Sequence, residues 1–235
     1  MQLPPLIEAR LVQRYKRFFV DAQLEDGQIV TAHCPNPGRM SSVLAEGQRI
    51  WLSKSPSLTR RLAWTWELAE APEGGFVGVN TTRPNKLVAE ALLARALPEV
   101  AEYTTVVPEV GIAPGVRVDF CLTHADGSVT YLEVKNVHLR EGETALFPDC
   151  VTARGTKHLY TLTKFAMLGT KTAVIYVVQR SDCRSFGVAS HLDPIYAAAA
   201  KAADEAGVKF FAYQCEVSRD EIRLQQPLPI EEYRL

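Results

Sequence analysis

Hydrophobic residues in the first 82 positions fall in short runs that turn-forming residues interrupt. The runs RFFVDAQL and QIVTAHC flank the pair Asp26-Gly27, and this arrangement predicts a β-hairpin. The runs QRIWLSKS, LAWTWELAE and GGFVGVN follow at similar spacing. Several short strands at this spacing predict a small barrel or a sandwich.

From residue 83 onward the hydrophobic pattern changes to one typical of an α/β domain. The segment RPNKLVAEALLARAL places Leu87, Ala91 and Ala94 at helical spacing, with Asn85 as the candidate N-cap. The segment FPDCVTARGTKHLYTLTKFAML is amphipathic with a helical period. We therefore divide the chain into a domain of residues 1–82 and a domain of residues 83–235.

The last third of the chain predicts a strand, a helix and a second strand. KTAVIYVVQ is a nearly continuous apolar run, as in a buried strand. The helix after it has Asp193 as its cap and Pro194 in its first turn, and it ends at Gly207 before the run VKFFAYQ. This order predicts a βαβ unit with a parallel pair of strands.

Composition narrows the classes of protein that fit. The chain has 235 residues and a net charge of −1, so any polyanion must be held by local clusters of basic residues. The N-terminus lacks the pattern of a signal peptide, and no apolar run approaches the roughly 20 residues that span a bilayer. The five cysteines are dispersed and form no CxxC pair, which favours a reduced cytoplasmic protein with no membrane partner.

Two predicted strands, RVDF and YLEVKN, carry charged residues among apolar ones. Glu133 and Lys135 are two residues apart and so share a face of their strand, while Asp119 points away from Val118 and Phe120. Burying such charges unpaired would cost on the order of several kcal/mol. The three polar side chains are therefore either solvated or held together.

The connection between these strands decides whether the carboxylates meet. A two-residue loop at Asp126-Gly127 would place Asp119 opposite Val134, on the wrong face. A three- or five-residue loop, or one bulge, would place it opposite Glu133 or Lys135. The sequence alone leaves both arrangements open.

In the second arrangement the two carboxylates would repel each other unless a cation lay between them. A hard divalent ion such as Mg²⁺ fits this role, because it accepts carboxylate oxygens and keeps positions for water and phosphate. Glu90, on the preceding helix, is a candidate third ligand. The alternative interpretation is an exposed Glu133–Lys135 pair with Asp119 as a solvated neighbour.

The pattern D-x(13)-E-V-K, between a helix bearing a glutamate and a basic amphipathic helix, resembles the PD-(D/E)xK nuclease superfamily. More specifically, HCPNPGRM, VNTTRPNKLVAEAL, YLEVKNV, FPDCVTARGTKHL and HLDPIYA resemble the sugar fermentation stimulation protein A (SfsA) family, nearly end to end and in order. The resemblance implies an N-terminal OB-like β-barrel followed by a nuclease-like α/β domain with a mixed central sheet. It also implies DNA binding, a regulatory role in sugar (maltose) metabolism, and a site formed by Asp119, Glu133, Lys135 and Glu90.

Basic residues that could contact nucleic acid fall in four groups. On the barrel, they alternate with aromatic residues such as Tyr15 and Phe18, in the manner of single-strand-binding surfaces. On the second long helix, they lie on one side together with Thr161. The alternatives are that Trp64 and Trp66 form barrel core and that the charges are a solvated rim. The candidate contacts are Arg10, Arg14, Lys16 and Arg17; Arg39; Arg60 and Arg61; and Arg154, Lys157 and His158.

The sequence therefore predicts a two-domain DNA-binding protein of low sequence specificity, with a nuclease-type site that uses Mg²⁺ or Mn²⁺. One alternative is a DNA-binding regulator that keeps the nuclease fold without catalysis. Another is a small-molecule phosphohydrolase or sugar-phosphate sensor. The sequence leaves open whether the DNA is single-stranded or structured and whether the protein forms a homodimer.

Overall fold

The structure is a computed structural model that describes residues 1–57, 59–100 and 102–231. In its N-terminal part, strands run in the order β3-β2-β1-β4-β5-β6, and a parallel β3–β5 pairing closes the first five into a barrel. Asp26-Gly27 lies in the antiparallel β2–β3 connection, so the predicted hairpin is confirmed. The strands are β1 (Leu6–Tyr15), β2 (Phe19–Leu24), β3 (Ile29–His33), β4 (Arg49–Lys54), β5 (Trp64–Glu70) and β6 (Phe76–Gly78).

The interior of the barrel is apolar and includes one of the two tryptophans of β5. Trp66 is fully buried, and its indole N–H donates to the carbonyl of Leu68 at 2.8 Å, so it is barrel core. Trp64 is only partly buried, with the ammonium of Lys54 over its ring at 5.4 Å. Trp66 is therefore unavailable for stacking on a base.

The second part of the chain is built on a six-stranded sheet in the order β15-β14-β12-β9-β8-β7. The strands β9, β12 and β14 are parallel, and the flanking pairs are antiparallel, so the sheet is mixed. These strands are β7 (Thr105–Ala113), β8 (Val116–Thr123), β9 (Val129–Val137), β12 (Lys171–Val178), β14 (Lys209–Val217) and β15 (Ile222–Leu228). A smaller sheet contains β10 (Leu139–Glu141), β11 (Thr144–Phe147) and β13 (Ser185–Val188).

The helices of this part are α1 (Arg83–Leu93), α2 (Ala153–Met167) and α3 (Pro194–Glu205). The helix α3 lies between the parallel strands β12 and β14, which confirms the predicted βαβ unit. The closed barrel and the mixed sheet together confirm the predicted fold class. No helix in the described ranges is long and apolar enough to cross a bilayer.

One predicted helix start is wrong and another is confirmed. The cap of α1 is Thr82, and Asn85 lies inside the first turn. The helix starts earlier than expected because Pro84 occupies that turn, where its fixed φ and missing N–H are tolerated. At α3 the predicted cap is correct, since the carboxylate of Asp193 accepts the N–H of Tyr196 at 3.0 Å.

Barrel and sheet are joined by apolar packing and by buried polar groups. Trp51 of the barrel belongs to the same core cluster as Leu87 of α1. The backbone N–H of Met40 donates to Oδ2 of Asp149 at 2.9 Å, and Oδ2 of Asp149 also lies 3.2 Å from Nε2 of His138. A Cβ added to Gly38 would lie 2.2 Å from the same carboxylate, so any larger residue would force the Asp149 side chain to move. These contacts fix the barrel against the end of β9.

Candidate metal centre and basic surfaces

The register of β8 and β9 follows the longer-loop arrangement. Phe120 pairs with Leu132 and Thr123 with Val129, and the N–H of His124 donates to the carbonyl of Ser128 at 2.8 Å. A loop of residues 125–127 is therefore left between the strands, as the metal hypothesis required. The pairing ends at Phe120 and Leu132, so Asp119 and Glu133 are the first residues beyond the paired segment on their two strands.

The Asp119 carboxylate enters the gap where β8 separates from β9. Its Oδ2 accepts the backbone N–H of Val134 at 2.7 Å, and its Oδ1 accepts Nδ2 of Asn85 at 2.7 Å. Simple alternation placed Val118 and Phe120 on one face, and this is wrong. Val118 packs in the core beside α2 and α3, whereas Phe120 packs in the core beside α1. Val118 and Phe120 therefore lie on opposite faces of the sheet, and the β8–β9 pairing ends at Phe120.

Glu133 is almost completely buried, at 3% exposure, and its two carboxylate oxygens have different surroundings. Oε1 accepts from Nζ of Lys135 at 2.5 Å and lies 2.6 Å from Nδ1 of His158. Oε2 is buried and has no hydrogen-bond partner among the described residues. A buried carboxylate oxygen without a donor is costly, so this atom indicates a position where a further cation would bind.

The two carboxylates have pKa values shifted in opposite directions. Burial, and then the charge of Glu133, raise the pKa of Asp119, while Val134, Asn85 and Lys135 oppose this shift. Burial would also raise the pKa of Glu133, but Lys135 and His158 together outweigh it and hold the pKa below its ordinary value. Glu133 is therefore ionised at neutral pH, and Asp119 gains most from an added positive charge.

The donor atoms fit a hard divalent cation. Both residues supply carboxylate oxygens, the ligands that Mg²⁺ and Mn²⁺ prefer, and Oε2 of Glu133 is free to coordinate. Across the described ranges, no group of three or more His, Cys, Asp or Glu side chains is placed to hold a metal ion. A cation held by Asp119 and Glu133 would therefore complete its coordination with water and phosphate oxygens.

Glu90, the predicted third ligand, lies elsewhere. Its carboxylate is 56% exposed and lies 2.9 Å from the amino group of Met1. The residue of α1 that reaches Asp119 is Asn85, which we had assigned to the helix cap. Since α1 begins at Arg83, Asn85 is turned toward β8 and Glu90 toward the N-terminal segment. We therefore remove Glu90 from the ligand set.

Several basic residues of the barrel gather at one end. The guanidinium of Arg14 donates to the carbonyls of Arg17 at 3.0 Å, Arg39 at 3.3 Å and Asn36 at 2.7 Å. Lys16, Arg17 and Arg39 have exposed side chains. The pKa of the Cys150 thiol is raised by burial, and a backbone contact from Arg39 and the charge of Arg17 oppose this shift. The N–H of Met40, next to Arg39, donates to the carboxylate of Asp149, so this end of the barrel lies beside the segment that leads into α2.

The remaining basic candidates of the barrel are more dispersed. Arg10 donates to the carbonyl of Gly47 at 3.1 Å, toward the other end of β1. Arg60 donates to the hydroxyl of Thr65 at 2.9 Å, and Arg61 is exposed. Among the described residues, no contact links Arg10 or Arg61 to the hydrogen-bonded group around Arg14.

The predicted basic face of α2 is only partly correct. Arg154 and Lys157 are exposed, and Nζ of Lys157 donates to the carbonyl of Gly115 at 3.3 Å. His158 does not share this exposed face. It is buried, at 5% exposure, because its ring is directed toward Glu133 on β9. No local pattern indicates this contact, since the two residues are 25 positions apart.

Comparison with known proteins identifies the family. The model described as the SfsA N-terminal OB domain matches residues 12–79, and the model of the Sugar fermentation stimulation protein RE domain matches residues 82–221. The chain belongs to the SfsA family. A Sugar fermentation stimulation protein homolog from Caulobacter vibrioides is 50% identical over 95% of this chain and 94% of the relative. A homolog from Jannaschia sp. is 44% identical over 98% of this chain and 97% of the relative.

A solved structure shares the fold of the whole chain. It is SfsA from Pyrococcus furiosus, determined in complex with Ca²⁺. It matches with a TM-score of 0.89 and 24% sequence identity, and the match covers 98% of each chain. The arrangement of barrel and mixed sheet is thus common to this SfsA protein and the present one.

Proposed function

We propose that this SfsA-family protein binds DNA with little sequence preference and that Asp119 and Glu133 hold a divalent cation, Mg²⁺ or Mn²⁺, beside a DNA phosphate. The observation that carries the proposal is the buried, unpartnered Oε2 of Glu133 on the strand next to Asp119. Support also comes from the P. furiosus relative, which was determined in complex with Ca²⁺. We treat residues 1–82 and 83–235 as the two functional units.

The chemistry of this site is that of phosphodiester hydrolysis. When bound, a divalent cation polarises a phosphate and lowers the pKa of a bound water. Lys135 and His158 hold Oε1 of Glu133, so Oε2 is the oxygen that would coordinate the cation. Val134 and Asn85 each donate to a different oxygen of the Asp119 carboxylate and so orient it. Lys135, which is partly exposed, is placed to donate to a phosphate oxygen or to orient a water.

DNA contact is assigned to two local surfaces, because the net charge of −1 provides no general attraction. One is the barrel end that carries Lys16, Arg17 and Arg39. The other is the exposed side of α2 with Arg154 and Lys157. The N–H of Met40, next to Arg39, donates to Asp149, five residues before Arg154, so we assign one DNA backbone to both surfaces. Binding through phosphates predicts a steep dependence on salt concentration.

The decisive experiment is a cleavage assay on single-stranded DNA, duplex DNA and RNA with Mg²⁺ or Mn²⁺. Wild type should cut at least one substrate, and cutting should be lost in Asp119→Ala and Glu133→Ala. Glu90→Ala is the matched control, because this carboxylate lies away from the site, and it should cut like wild type. Equal cutting by all four proteins would refute the proposed site.

A second candidate function is a DNA-binding regulator without catalysis. It is favoured by the small ligand set, with two carboxylates at the site, and by the close pairing of Lys135 with Glu133. In this case DNA binding would be unchanged in Asp119→Ala and Glu133→Ala, and no substrate would be cut under any metal condition. The relatives are named for sugar fermentation, and we propose regulation of sugar (maltose) metabolism as the physiological context of either function. The dispersed free cysteines support a cytoplasmic location for it.

A further inference from the structure

The connection between β1 and β2 has an unusual backbone and presents an aromatic side chain. We call residues 16–18 the hairpin tip. Lys16 and Arg17 have positive φ values of 47° and 63°, and both side chains are exposed. Phe18 follows them with 45% of its surface exposed, and it belongs to none of the core clusters found among the described residues.

The residue types of the hairpin tip do not suit its conformation. Two consecutive left-handed residues in a tight hairpin favour Asn and Gly, because a larger side chain at positive φ is strained. Lys16 and Arg17 adopt this conformation although neither is a favoured residue. Backbone strain of this kind is typical of binding sites, where it serves to place particular side chains.

Hydrogen bonds hold the hairpin tip rigidly. Nε of Arg14 donates to the carbonyl of Arg17 at 3.0 Å. The N–H of Phe18 donates to the carbonyl of Lys16 at 2.8 Å, and the carbonyl of Phe18 accepts the N–H of Cys34 at 2.9 Å. Below the tip, the rings of Tyr15 and Phe19 are stacked with centroids 5.5 Å apart. A rigid tip loses little conformational entropy when it binds a partner.

An exposed aromatic ring next to two cations matches the chemistry of a single nucleic-acid strand. Bases stack on aromatic side chains whatever their sequence, while neighbouring basic side chains contact the phosphates. In an intact duplex the base faces are covered by their neighbours, so a ring such as Phe18 can reach one only where bases are unpaired or unstacked. Arg14, which holds the tip, also donates to the carbonyl of Arg39, and the N–H of the next residue, Met40, donates to Asp149, so the tip lies at the end of the barrel that contacts the nuclease-like domain.

We propose that Phe18 stacks on an unpaired base while Lys16 and Arg17 contact the flanking phosphates. The barrel thereby favours single-stranded or locally unpaired DNA over intact duplex. This inference rests on the proposed function, which gives DNA as the partner. It adds that the preference for unpaired bases over duplex depends on the side chain of Phe18.

The test measures fluorescence anisotropy of full-length protein with a labelled oligothymidine and with a labelled duplex, over a range of salt concentrations. Phe18→Ala should lower affinity for the single strand by roughly tenfold, with an unchanged salt slope because no charge is removed. Phe18→Trp should retain the affinity of wild type. Ile29→Ala, which truncates another exposed apolar side chain of the barrel, is the matched control and should have no effect.

The outcomes separate this inference from the proposed function. If wild type binds DNA with steep salt dependence but Phe18→Ala binds the single strand as tightly as wild type, the stacking role is refuted and the proposed function stands. An equal loss of affinity for duplex and single strand would also refute selection by Phe18. If wild type binds neither DNA, both the proposed function and this inference fail.

Discussion

Nδ1 of His158 lies 2.6 Å from Oε1 of Glu133, and the ammonium of Lys135 contacts the same oxygen. Two donors from different elements thus occupy one carboxylate oxygen and leave the other without a partner in the described part of the chain. Because one oxygen is held and the other is available, Glu133 has the orientation expected of a carboxylate that coordinates a metal ion. It also makes His158 a positioning residue for Glu133, in place of the phosphate contact that the sequence predicted.

Replacement of His158 should shift the pH dependence of metal binding. His158 lowers the pKa of Glu133, so in His158→Ala burial would raise that pKa. Because protons and metal compete for the carboxylate, the midpoint of Mn²⁺ binding should move to higher pH. Calorimetric titration of the full-length protein at several pH values measures this shift.

The control for this variant is His191→Ala. His191 is half exposed and pairs with Glu141 on the surface. Its removal should leave the midpoint of Mn²⁺ binding unchanged. A shift of equal size in both variants would show that the effect is not due to the contact with Glu133.

Neutralising the two carboxylates should change stability in opposite ways. The pKa of Asp119 is raised in the folded protein, so its contribution to stability is present at low pH and lost as pH rises through that pKa. In chelator at neutral pH, Asp119→Asn should therefore be as stable as wild type or up to about 1 kcal/mol more stable. The difference from wild type should disappear at about pH 3, where Asp119 is protonated in both states.

Glu133→Gln should instead be less stable than wild type at neutral pH. The pKa of Glu133 is lowered in the folded protein, so its contribution is present at neutral pH and lost as pH falls through that pKa. Removing its charge deprives Lys135, whose side chain is 13% exposed, of its paired carboxylate, at a cost of roughly 3 kcal/mol. Urea unfolding of both variants at neutral and low pH checks the two signs. Equal destabilisation by both substitutions would contradict this description of the site.

Much of the fold followed from local signals. The Asp26-Gly27 hairpin, the cap at Asp193 and the apolar run of β12 each depend on neighbours in sequence, and each prediction is confirmed. The register of β8 and β9 is different, because the same residues allowed loops of two or three positions. Only the packing of both faces of the sheet selects one of them.

The candidate site was less predictable because its contacts are long-range. Asn85 and Asp119 are 34 positions apart, and no pattern in the sequence links them. The residue at which α1 begins also decides whether Asn85 or Glu90 faces the strands, and a difference of a few residues is enough to change this. The helical period placed His158 beside Arg154, but the position of α2 against the sheet decides which of them is buried.

Gly38→Ala should loosen the contact between the barrel and the sheet. Its Cβ would lie 2.2 Å from the Asp149 carboxylate, whose pKa is held at about 2, against the effect of burial, mainly by His138. We expect a loss of roughly 1–3 kcal/mol of unfolding free energy from this overpacking. Gly111→Ala is the control, because nothing lies within 4 Å of its Cβ and its φ is not positive. Equal stability of the two variants in urea would contradict the assigned role of Gly38.

The exposed side of α2 should contribute to the salt dependence of DNA binding. If Arg154 and Lys157 each contact one phosphate, replacing either by Ala should reduce the salt slope by about 0.7–0.9. Lys201→Ala, on the exposed side of α3, should leave the slope unchanged. An unchanged slope in all three variants would place the DNA elsewhere.

Crystals grown with Mn²⁺ would show whether Asp119 and Glu133 share a divalent cation. The anomalous difference map should show one peak in contact with both carboxylates, on the Oε2 side of Glu133. The peak should be lost in crystals of Asp119→Asn. No peak at this pair, in crystals that bind Mn²⁺ elsewhere on the chain, would contradict the proposal.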